Sequence, residues 1–186
     1  GVAAGGGELV AVGGSGTVLT SDGNATWTSS TSGIGNPIRD VIFASGGFMA
    51  VGESGNILSS PDGNSWSSVS SKTDRNRNGI VYGNDRYVSV GDTDIVTSMD
   101  GADWAVSPTS FANFQGIAYG KGMFIAVGSA GGIYSFENGA MWRRQESQTA
   151  KSLYDIAYGN GLFVAVGAGG TIVTSSNGED WIPQTS

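Results

Sequence analysis

Five tryptophans, Trp27, Trp66, Trp104, Trp142 and Trp181, divide the sequence into nearly equal parts, spaced 39, 38, 38 and 39 residues apart. A fixed period of this length marks a repeat protein, in which each unit buries its apolar surface against the next. Other markers run in phase with the first: Leu9-Val-Ala-Val-Gly13, Phe48-Met-Ala-Val-Gly52, Tyr87-Val-Ser-Val-Gly91, Phe124-Ile-Ala-Val-Gly128 and Phe163-Val-Ala-Val-Gly167. Seven residues before each of these stands Val2, Val41, Ile80, Ile117 or Ile156. A tight Asp-Gly or Asn-Gly pair precedes each Trp, beginning at Asp22, Asp62, Asp100, Asn138 and Asn177. Five copies therefore tile residues 1–186 as one domain, with units at about 1–36, 37–75, 76–112, 113–151 and 152–186, and leave no linker.

Each unit reads as four short strands. In the last, these are Ile156-Ala-Tyr158, Leu162-Phe-Val-Ala-Val-Gly167, Thr171-Ile-Val-Thr-Ser175 and a strand beginning at Trp181. The runs are β-branched or aromatic, about five residues long and bounded by Gly, Asn and Asp, and no stretch carries helical periodicity. The Asp-Gly and Asn-Gly pairs are expected to form type I′ hairpins, with both central residues at positive φ. Four antiparallel strands repeated every 37–39 residues predict an all-β, five-bladed β-propeller. A β-solenoid would use shorter coils, of roughly 20–30 residues, and atypical capping units. The ring is expected to close by packing the fifth blade on the first, without a shared strand. One Trp per blade is expected to pack between blades.

Composition removes whole chemistries. With no Cys and no His there are no disulfides, thiolate or imidazole metal sites, and no Ser-His-Asp triad. A net charge of -7 argues against tracking nucleic-acid phosphates, and no apolar run approaches a membrane span. Only 13% of residues are charged and 25 are Ser, a balance that suggests an extracellular, cell-surface or virion setting. The first residue is Gly rather than Met, so the chain is expected to be a processed product or an excised domain, part of a larger chain or assembly.

Ser60-Pro-Asp-Gly-Asn-Ser-Trp66, Ser98-Met-Asp-Gly-Ala-Asp-Trp104 and Ser175-Ser-Asn-Gly-Glu-Asp-Trp181 resemble the Asp-box, or BNR, repeat of sialidase-type propellers. Thr20-Ser-Asp-Gly23 with Trp27 and Asn138-Gly139 with Trp142 are looser copies, and all the boxes are one residue short between Asp and Gly. The resemblance implies a propeller, with each box at the turn between third and fourth strands, on the face away from any ligand. It does not imply activity. A sialidase would need three arginines converging on the axis, and Arg39, Arg75, Arg77, Arg86, Arg143 and Arg144 do not recur at equivalent positions. Similar repeats occur in secreted bacterial and phage tail-associated proteins.

Positions that vary on one face of a repeat are free for binding, because packing explains the shared ones. Two residues before the first-strand Val or Ile, the variable set is Arg39, Asn78, Gln115 and Tyr154. Neighbouring loops add Arg75, Arg77, Phe111, Phe114 and Lys151. Amide, Arg and aromatic groups suit a glycan, and they equally suit a protein partner. Asp92 and Asp94 share one loop and are the weak candidates for Ca²⁺; no metal and no cofactor is expected. Asp40 and Asp155 occupy the same repeat position and are the pair a glycosidase would use, although they read first as solvated loop acids. The sequence thus points to a non-catalytic binding module recognising glycan or a surface partner. A scaffold that docks other proteins, as in a virion or surface layer, is the alternative, and a small glycoside hydrolase comes third.

Overall fold

A computed structural model describes residues 1–24, 26–108, 113–137 and 141–185. Phe111 and Asn138 lie outside the described residues. The chain is an all-β five-bladed propeller: five separate four-stranded antiparallel sheets, each with its strands in sequence order. Blade 1 holds β1 (Val2–Gly5), β2 (Glu8–Val12), β3 (Thr17–Ser21) and β4 (Thr28–Thr31). Blade 2 holds β5 (Ile38–Ala44), β6 (Gly47–Gly52), β7 (Ile57–Ser60) and β8 (Ser67–Val69). Blade 3 follows with β9 (Arg77–Gly83), β10 (Arg86–Gly91), β11 (Asp94–Ser98) and β12 (Ala105–Pro108). Blade 4 has β13 (Phe114–Gly120), β14 (Met123–Gly128), β15 (Ile133–Glu137) and β16 (Arg143–Gln145). Blade 5 has β17 (Leu153–Gly159), β18 (Leu162–Gly167), β19 (Ile172–Ser175) and β20 (Ile182–Gln184).

The first strand of each blade lies innermost, where β1, β5, β9, β13 and β17 neighbour one another in that order. Alternate residues of a strand point to opposite faces, so Val10, Val12 and Val18 of blade 1 meet Val41, Phe48 and Leu58 of blade 2. Equivalent apolar cores join blades 2 and 3, 3 and 4, and 4 and 5. Each fully buried Val, Ile or Leu contributes roughly 1.5–3 kcal/mol, so these interfaces hold the molecule together. No such core joins blade 5 to blade 1 among the described residues. The expected closure of blade 5 on blade 1 is therefore not seen.

The Asp-Gly turns differ from expectation in an informative way. Only their glycines have positive φ: Gly63 at 76°, Gly101 at 76° and Gly178 at 78°. Asp62 instead accepts hydrogen bonds from the N–H groups of Asn64 and Ser65 (2.9 and 2.8 Å), Ser60 accepts from Gly63 (2.8 Å), and the Trp66 indole donates to the Gly63 carbonyl (2.8 Å). The same network recurs around Asp100 with Trp104 and around Asn177 with Trp181. The N–H donors hold the Asp62 and Asp100 carboxyls below the ordinary value. Type I′ geometry lies one turn away, between first and second strands, as at Ser45-Gly46 and Asn84-Asp85, where both residues have positive φ.

Trp104 and Trp181 are buried between blades, and Trp66 and Trp142 pack against interface cores. Trp27 departs from the pattern, at 44% exposed.

The loops from second to third strand set a strict glycine requirement in blades 1, 2 and 4, at Gly16, Gly55 and Gly131. Gly55 has φ +70°, and a β-carbon there would run into the Thr73 carbonyl oxygen. Gly46 has φ +83° but open space around it. Gly55→Ala is therefore expected to destabilise by about 3 kcal/mol and Gly46→Ala by about 1 kcal/mol, read from urea-denaturation midpoints.

Candidate functional site

Innermost strands β5, β9, β13 and β17 each carry a β-bulge near their start. In β5, Ile38 pairs with Gly52 and Asp40 with Val51, which leaves Arg39 as the extra residue. The same irregularity singles out Asn78 in β9, Gln115 in β13 and Tyr154 in β17. A bulge frees one residue from the pleat and re-aims its side chain. All four variable residues expected from the sequence are thus bulge residues. With Gly1, Asp40, Gly79, Gly116, Ile117 and Asp155 they line one depression at the axis, of about 350 Å³.

Its lining is polar and mixed in charge. Arg39 pairs with Glu53 at 2.7 Å, both half-exposed, so the pair fixes the guanidinium's direction more than it stabilises the fold. Asn78 donates to the Phe114 carbonyl at 2.6 Å, while its own Oδ1 is buried without a partner among the described residues. Gln115 donates to Oδ1 of Asn113 at 2.5 Å. Tyr154 is 57% exposed and lines the same depression. Asn113 escaped the sequence reading; its signal was a second amide at 76 and 113, one residue before the innermost strand begins.

Asp40 is not the solvated loop acid the sequence suggests. It lies on β5, half-buried, and its two oxygens accept from the N–H groups of Val41 and of Ile80 in the next blade, both at 2.9 Å. Burial raises its carboxyl above the ordinary value, against the pull of those two donors. Asp155, at the same position of β17, accepts from Ile156 at 2.8 Å and is exposed.

Two expected ligand residues are turned inward. Arg77 and Phe114 are both 0% exposed and occupy the position held by Ile38 and Leu153 in other blades. Phe114 belongs to the core between blades 3 and 4. Arg77 is ion-paired with Asp94, and its Nε donates to the carbonyls of Arg75 and Asn76. Burial lowers the Arg77 pKa, and the Asp94 charge opposes that shift. The second Asp94 oxygen accepts from Thr73 Oγ1 at 2.7 Å. Asp94 is thus committed to neutralising a buried cation and is not a free Ca²⁺ ligand beside Asp92. Among the described residues, no group of three or more metal-ligating side chains comes together. Arg75 is exposed beside Asp74 on the connecting loop, outside the axial depression.

The sequence matches no family model and no curated protein. Solved propellers are similar in fold. YCF48 bound to D1 peptide is 21% identical with a TM-score of 0.74, over 98% of this chain and 65% of that one. YCF48 from Cyanidioschyzon merolae is 15% identical, TM-score 0.75, over 98% and 70%. The WD40 propeller domain of Doa1 is 14% identical, TM-score 0.76, over 97% and 66%. The chain thus spans about two thirds of the length of each.

The internal ion pair makes a sharp prediction. Asp94→Ala strands a buried guanidinium and is expected to cost about 3–5 kcal/mol in chemical denaturation. Adding Arg77→Met, which restores an apolar side chain at this repeat position, is expected to recover most of that loss.

Proposed function

We propose that the protein is a non-catalytic binding module that holds an extended segment of a protein partner against the axial depression. The observation that carries this reading is the coincidence of variability and geometry. Repeat positions explained by packing are shared between blades, whereas Arg39, Asn78, Gln115 and Tyr154 differ and are each released by a bulge into one depression. A buried acceptor on Asn78, amide groups and an open tyrosine suit the peptide N–H groups and side chains of an extended segment.

A similar propeller is described as bound to a D1 peptide, which supports a peptide as the ligand class. The Asp40 oxygens are both spent on backbone N–H groups, which argues against a glycosidase acid or nucleophile there. The Ser-x-Asp-Gly turns capped by Trp support kinship with Asp-box propellers, and the Ser-rich, weakly charged composition supports a surface or virion setting. A glycan is the second reading, favoured by the exposed Tyr154 ring beside two amides.

Arrays of short peptides and of glycans, probed with the 186-residue chain, decide between the two. Peptide binding is expected, weakened about tenfold by Tyr154→Ala or Gln115→Ala and unchanged by Lys121→Ala at the opposite rim. Binding to glycans alone, or peptide binding indifferent to the axial substitutions, would contradict the proposal.

A further inference from the structure

Each of the four interfaces joins two unlike faces. A leading face, such as Ile125, Val127 and Ile133 of blade 4, meets a trailing face, such as Ile156, Phe163 and Trp181 of blade 5. Blade 5 repeats the leading face as Val164, Val166 and Ile172, yet Val166 is 42% exposed where Val127 is 0%. Blade 1 repeats the trailing face as Val2, Leu9 and Trp27, yet Val2 is 67% exposed where Val41 is 2%. The polar pattern agrees: Asp40 takes the N–H of Ile80 in the next blade, while Asp155 accepts only from its own neighbour among the described residues.

We propose that these two faces are sockets filled by further blades of the same repeat, carried on the same polypeptide, so that the working ring has more than five blades. The kind of occupant follows from continuity with the existing interfaces. A leading face with an unfilled Asp155 takes a trailing face and the backbone N–H of a first-strand Val or Ile. The number follows from length. Similar propellers match nearly all of this chain while about a third of their own extends beyond it, room for roughly two repeats of about 40 residues. Two such repeats fall below the roughly three that a repeat stack needs to be stable alone, so they belong to the same polypeptide rather than to a free partner. A second copy brings five blades, too many for that gap.

The test substitutes one side chain on each kind of face. In the 186-residue chain, Val166→Asp is expected to shift Tm by no more than about 2 °C, while Val127→Asp lowers it by about 10 °C or more. In a chain extended after Ser186 by a copy of residues 113–185, Val166→Asp becomes as damaging as Val127→Asp, and light scattering finds a monomer. The proposal is overturned if Val166→Asp already matches Val127→Asp in a monomeric 186-residue chain, which would then close on itself. It is equally overturned if the two match in a dimer, where a second copy fills the gap. Aggregation of the extended chain, or tolerance of Val166→Asp in both chains, also rejects it.

Discussion

A sheet with apolar side chains on both faces buries both only between two neighbours, and much of this molecule answers to that constraint. Face-to-face burial of Val, Ile, Leu and aromatic residues supplies the cohesion, since each sheet is joined to the next by side chains rather than by a strand ladder. The glycines of the Asp-Gly and Asn-Gly turns follow from it. A β-carbon at Gly63 would meet Val10 of the preceding blade at 2.7 Å, and one at Gly101 would meet Met49 at 2.8 Å. The turns at Gly63, Gly101 and Gly178 are therefore wedges seated on the neighbouring sheet, and the side-chain acceptors of Asp62, Asp100 and Asn177 satisfy backbone N–H groups that the sharp turns leave unpaired.

The same packing decides where a polar side chain can go. At the inward position shared by Ile38, Phe114 and Leu153, blade 3 carries Arg77, and the fold tolerates it only because Asp94 and two carbonyls surround the guanidinium. One residue further on, the bulge turns the chain out of the core, so Arg39, Asn78, Gln115 and Tyr154 vary freely at the axis. The packing position and the position proposed for binding are separated by a single residue.

The blades were legible because their packing repeats. Trp66, Trp104 and Trp181 count them because each indole closes the same turn through a Gly carbonyl. What repeats only in part was harder to read. Asp62-Gly63 looked like a type I′ pair, but the Asp carboxylate is needed as a backbone acceptor, which an αL Asp in a two-residue hairpin does not provide. Arg77 and Phe114 looked like loop residues, because one-residue shifts in loop length hide the register that places them beside Ile38 and Leu153. Asp40 and Asp155 share a sequence position but not an environment. One is covered by a following blade and the other is not, and no local pattern encodes that difference.

The central claim is that residues at the bulges are held by the fold but do not hold it. Thermal unfolding of a chain with Arg39, Asn78, Gln115 and Tyr154 all replaced by Ser tests it directly. The account predicts a Tm within about 5 °C of the parent chain, since among the described residues the Asn78 amide is the one of these four side chains that bonds across to the next blade. A fall of about 15 °C or more would place these four side chains among the structural residues and contradict it.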